Sequence, residues 1–143
     1  MFFHFLNILL YIISLLILYK VLNRLFRDYK PKYEFLSIPF LATMLFAAHP
    51  LHTEIVANIK GRDEILAFLF SIAALNSTLN YVDNKKFTGL ISAFIYVFLG
   101  SMSKEISITF LAVIPLSIYF FREEKFSKLV VLTIPLIAGA GLY

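Results

Sequence analysis

The 143-residue chain has no cysteine and no tryptophan, only five glycines, and just 15% Asp, Glu, Lys and Arg combined. Without cysteine there is no disulfide, no thiolate nucleophile and no cysteine metal ligand. Glycine-rich phosphate loops and G-x-S-x-G nucleophile elbows are absent as well, and the chemistry those elements carry goes with them. What remains is apolar: 60% hydrophobic residues, 16 Phe and a mean hydropathy of +0.84. That composition lies far from a soluble domain's usage and defines a membrane protein.

Six runs lack Lys, Arg, Asp and Glu: Met1 to Tyr19, Phe35 to Thr53, Ile65 to Val82, Phe87 to Ser103, Ile106 to Phe121 and Leu129 to Tyr143. About 20 apolar residues span a bilayer as a helix, and the short runs borrow flanking residues to reach that length. Backbone polar groups in lipid must bond within their own segment, and the alternation of a barrel strand is missing. The sequence therefore predicts an all-α, polytopic bundle of about six transmembrane helices, near 2–20, 35–50, 63–82, 87–102, 104–121 and 128–143. Pro39, Pro115 and Pro135 fall within these helices and Pro50 interrupts the end of the second.

Basic residues mark the cytoplasmic side. Ten of the thirteen fall on one side: Lys20, Arg24, Arg27, Lys30, Lys32, Lys85, Lys86, Arg122, Lys125 and Lys128. Segments 20–34, 83–87 and 122–128 are thus expected in the cytoplasm, and 49–63 and 102–105 outside. The net charge of +4 is mostly this sidedness, and no nucleic acid partner is expected. Abundant Lys, Ile and Phe suggest an AT-rich genome and a bacterial inner membrane; a eukaryotic protein would sit in the endoplasmic reticulum.

The short outer segments hold nine ionisable groups: His49, His52, Glu54, Lys60, Arg62, Asp63, Glu64, Lys104 and Glu105. Charge at this depth is costly, and a pocket is the usual reason to keep it. Arg62 and Lys104 fall at the N-terminal ends of inward-running helices, where the dipole disfavours a cation and favours an anion. With the helix N–H groups they suit a phosphate, such as a lipid phosphate presents. Asp63 and Glu64 complement the same dipole, which is an equally good structural explanation for them. His49 and His52 share a helical face near Glu54, but a pair without a third fixed ligand is weak, and no metal or cofactor is expected. His4 and Asn7 in the first helix either line the same cavity or make helix contacts.

The segments FFHFLNILLY (Phe2 to Tyr11), LFAAHPLHTEIVANIKGRDEILAFLF (Leu45 to Phe70) and SKEISITF (Ser103 to Phe110) carry a resemblance. In this order they resemble the F-H-x-x-N, A-x-H-P-x-H-T-E…G-R-A-D and S/C-K-E motifs of the transmembrane and tetratricopeptide-repeat O-mannosyltransferases and their bacterial relatives, in the GT-C superfamily. The matching positions are His49, Pro50, His52, Thr53, Glu54, Gly61, Arg62, Asp63, Lys104 and Glu105. The Ala of G-R-A-D is replaced by Asp63, so the motif acid is Asp63, Glu64 or both.

The resemblance implies a GT-C-like membrane module of an enzyme that moves a sugar from a polyprenyl-phosphate donor to an acceptor protein on the outer or lumenal face. It implies substrate binding by His49, His52, Glu54, Arg62, Lys104 and Glu105, with Glu54, Asp63 and Glu64 supporting. The superfamily's acidic base lies in the first outer loop, and this chain starts at what corresponds to the second helix. The expectation is thus a fragment, inactive alone. A transporter or ion pathway is the alternative if carboxylates sit at the bilayer midplane on broken helices. A membrane anchor or assembly module is the other, and it has no need of nine outer ionisable groups.

Overall fold

The computed structural model describes residues 2–29, 33, 36–58, 61–122 and 126–141. Among them the fold is all-helical, as expected: α1 (Phe2–Leu25), α2 (Ile38–Ala47), α3 (Pro50–Ala57), α4 (Arg62–Asn84), α5 (Thr88–Ser103), α6 (Phe110–Arg122) and α7 (Phe126–Gly141). A 3-10 segment, Glu105–Thr109, leads into α6. Three stretches, His4–Leu25, Arg62–Asn84 and Glu105–Arg122, are long and apolar enough to cross a membrane. Ile38–Ala47, Thr88–Ser103 and Leu129–Gly141 are apolar but shorter.

Helix boundaries follow from capping and proline chemistry. Ser37 caps α2, its side chain accepting the Phe40 N–H at 3.2 Å, and Pro39 sits in the first turn, where its missing donor costs nothing. The chain cannot continue helically into Pro50: His49 before it is extended (φ −67°, ψ 129°), and Pro50 then starts α3. The segment expected as the outer loop 49–63 therefore contains a two-turn helix. Asp63 and Glu64 occupy the first turn of α4, where their charge complements the dipole. Charge did not end α1, which runs past Lys20 and Arg24 to Leu25 because long basic side chains carry their heads away from an apolar stem.

The chain forms two compact units, Met1–Ile65 and Leu66–Tyr143, with the boundary inside α4. In the first, α1 packs on α2 and α3; Asn7, Ser14 and Val21, seven residues apart on α1, are all buried. In the second, α7 packs on α5 and α6, and the 3-10 segment touches both α5 and α6. Gly139 lets α7 close on α5, since a Cβ there would lie 2.9 Å from the Phe94 carbonyl oxygen.

Several hydroxyl groups inside the helices are satisfied locally. Hydroxyls of Ser14, Thr43, Thr78 and Ser117 donate to the carbonyl four residues back, at 2.7–2.8 Å. Asp83 and Arg122 tie the ends of α4 and α6 with two bonds, Nε to Oδ1 at 2.8 Å and a terminal nitrogen to Oδ2 at 3.3 Å. The Arg122 side chain is only 4% exposed and that of Asp83 14%. Conversely, Leu16, Leu45, Val131 and Ile134 each present more than half of their surface outward, the inverse of a soluble domain and the mark of a lipid-facing surface.

Candidate functional site

The site in the first unit is built on Gly61. Its backbone lies against the α3 carbonyl of Ile55 so closely that a Cβ would sit 1.8 Å from that oxygen. Only glycine permits this approach. The Gly61 N–H donates to the Asn58 carbonyl at 3.0 Å, and α4 starts at the next residue. The C-terminal end of α3 and the N-terminal end of α4 are thereby held side by side, and the glycine of the G-R segment is explained by packing.

Asn7 of α1 joins both ends. It is fully buried, its Nδ2 donates to the carbonyls of Val56 (3.4 Å) and Asn58 (3.2 Å), and its Oδ1 accepts the Arg62 Nε–H at 3.4 Å. The last carbonyls of a helix lack intrahelical donors, and here a side chain from another helix supplies them. Arg62 is half-buried at the positive end of the α4 dipole.

Beside this junction lies a cleft of about 380 Å³ lined by Leu51, Glu54, Ile55, Asn58, Gly61 and Glu64. Two carboxylates and an amide beside two aliphatic side chains can accept hydrogen bonds from a ligand's hydroxyl groups. Of the two adjacent acids, Glu64 lines the cleft whereas Asp63 is exposed.

The histidines occupy the start of α3. His49 is exposed and caps the helix, its Nδ1 accepting the Leu51 N–H at 3.4 Å. His52 packs its ring on Phe46 (centroids 4.2 Å apart) and near Tyr11 (5.8 Å). Burial, and then the neighbouring His49, lower its pKa from the usual 6.5. The two rings meet at 5.8 Å. Among the described residues no three His, Asp or Glu side chains come together as a metal-binding set.

Lys104 and Glu105 belong to the second unit. Lys104 is exposed and extended (φ −161°, ψ 141°) between α5 and the 3-10 segment, its N–H donating to Gly100 at 3.1 Å and its carbonyl accepting from Ser107 at 3.1 Å. Behind it the buried Ser107 and Ser101 hydroxyls bond at 3.4 Å. Glu105 is exposed and opens the 3-10 segment, where the sequence predicted α-helix from residue 104. Lys60 lies outside the described residues, as does the Thr53 side chain.

Sequence reasoning did not assign the Asn7 junction or the Asp83–Arg122 pair. An Asn deep in an apolar helix was the only signal for the first. For the second it was one acid at the end of a helix whose other ionisable neighbours are basic.

These features define a helical membrane protein with a charged junction at the end of one long helix, and relatives give that class a name. The chain is 38% identical over 103 residues, 72% of its length, to a Caenorhabditis elegans protein named protein O-mannosyl-transferase F38B6.6. It is 35% identical over 77 residues (53% of the chain) to human protein O-mannosyl-transferase TMTC1, and 49% identical over 49 residues (34%) to mouse TMTC4. It spans only 14%, 8% and 6% of the lengths of those three relatives. No family model and no solved structure matches. The resemblance to the O-mannosyltransferases read from the motifs is therefore real. A continuous match of 103 residues in a chain of 143 must include residues 41–103, and with them the segment from His49 to Glu64.

Proposed function

We propose that the chain forms part of a membrane glycosyltransferase resembling the protein O-mannosyltransferases, and that it handles a polyprenyl-phosphate-linked sugar donor on the outer or lumenal face. The observation that carries this reading is Arg62: an arginine held at the positive end of a helix dipole, against its own helix's preference, within a segment similar to proteins named for mannosyl transfer. Such a placement suits an anion, and a departing lipid phosphate develops negative charge as the sugar leaves.

Arg62 is assigned to the donor phosphate and Lys104 to the same class of group. Glu54 and Glu64 are assigned to the sugar hydroxyls, with Glu64 rather than Asp63 as the motif acid because it lines the cleft. His49 shapes the start of α3, and His52 and Glu105 are each assigned to substrate binding, as the resemblance implies. The base that deprotonates the acceptor hydroxyl is not among these residues; following the resemblance, it belongs to another outer loop of the whole enzyme. The six apolar helices are proposed as spans, with Lys85, Lys86 and Arg122 on the cytoplasmic side.

In the full-length protein, Arg62→Ala should raise the apparent KM for a polyprenyl-phosphate mannose donor about tenfold or more, the scale for losing one charge-assisted contact. Unchanged donor KM and turnover would remove the assignment.

A further inference from the structure

We propose that Asn7 is the positioning residue for Arg62, fixing the plane in which the guanidinium meets its anion; this rests on the donor-phosphate role given to Arg62. A fully buried amide in an apolar helix is costly unless its donors and acceptor are used. Asn7 uses all of them within one turn of chain reversal: both N–H groups on the carbonyls of Val56 and Asn58, and the oxygen on Arg62 Nε–H.

The network also fixes which way round the amide lies. Turned over, its oxygen would face two carbonyl oxygens and its NH₂ would face a guanidinium, three repulsive contacts in place of three attractive ones. The acceptor therefore points at Arg62 because the end of α3 demands the donors. Capping α3 and aiming Arg62 are one act.

The choice of nitrogen matters too. A guanidinium is a rigid plane, so a bond to Nε sets the direction of both terminal NH₂ groups, which form the fork that matches a phosphate. Arg62 stands where the α4 dipole repels it, and the Asn7 bond is one of the contacts that oppose its swinging toward water. Asn7 is neutral, so it orients the cation without cancelling the charge the anion needs.

A double-mutant cycle in the full-length protein, reading the apparent KM for a polyprenyl-phosphate mannose donor, tests this. A purely structural asparagine lowers the amount of folded enzyme, which scales the maximal rate but leaves KM unchanged. Asn7→Ala is expected to raise KM about three- to tenfold alone, and to add nothing on top of Arg62→Ala. Should Asn7→Ala fail to accumulate, Asn7→Gln serves: it keeps the donors and the acceptor but on a longer arm, so the amide no longer meets Arg62 Nε from the same place, and KM rises in the parent and not in the Arg62→Ala background. A KM unmoved by either Asn7 variant while Arg62→Ala raises it, or multiplication of the two effects, overturns the positioning role alone. If Arg62→Ala itself leaves KM unchanged, the functional reading and this inference fall together.

Discussion

Replacing Gly61 by alanine should separate the ends of α3 and α4. The added carbon would begin 1.8 Å from the Ile55 carbonyl oxygen, and contacts under 3.0 Å are essentially never seen for a real Cβ. The obstacle is backbone, so no side-chain rotation relieves it, and the junction must open by at least about 1.2 Å. Overpacking of this kind typically costs about 1–3 kcal/mol. The Asn7 bonds to Asn58 and Arg62, already 3.2 and 3.4 Å long, do not survive such a displacement, and one lost buried bond adds about 1–3 kcal/mol. A total of about 2–6 kcal/mol follows, concentrated at one place. Hydrogen exchange of the protein in micelles should show faster exchange in 50–58 and 61–66 with little change in α6 and α7. Gly141→Ala is the control, because nothing lies within 4 Å of its Cβ position. Exchange in Gly61→Ala no faster than in the control would refute the close-approach argument.

Asp83→Ala removes both carboxylate bonds from the nearly buried Arg122 and should cost about 3 kcal/mol, and Asp83→Ala with Arg122→Leu should recover most of it, measured by thermal unfolding in micelles. His52, with its folded pKa depressed, favours the folded state above its ordinary value of 6.5 and loses that contribution as pH falls through the folded value; exchange protection in α2 and α3, taken relative to the intrinsic exchange rate at each pH, should fall below about pH 6.5, and His52→Phe should remove that loss of protection. Because the chain has no cysteine, single substitutions report sidedness cleanly: Lys86→Cys and Lys104→Cys should react with an impermeant maleimide from opposite faces of sealed vesicles.

Helical class and membrane character were legible because lipid leaves the backbone few options and the charge-free runs are long. Pro50 was legible as an interruption, since its conformational restriction acts on its immediate neighbour. The helix that begins there was not: α3 is too short and too polar to stand out among loop residues, and it exists through its packing on α1. Arg62 stood out from sequence because a cation at a helix N-terminus contradicts a local rule. Asn7 was conspicuous only as a polar residue in an apolar helix, and Gly61 contradicts nothing locally. Their roles depend on which backbone atoms arrive from 49 to 51 residues away, or from across a turn, and spacing carries no record of that.

Binding of a polyprenyl-phosphate mannose donor to the full-length protein in nanodiscs, compared between the parent and Arg62→Ala, tests the central claim most directly. The account predicts at least a tenfold loss of affinity at low ionic strength, and a smaller difference between the two proteins at high ionic strength. Equal affinity in the two proteins would contradict it.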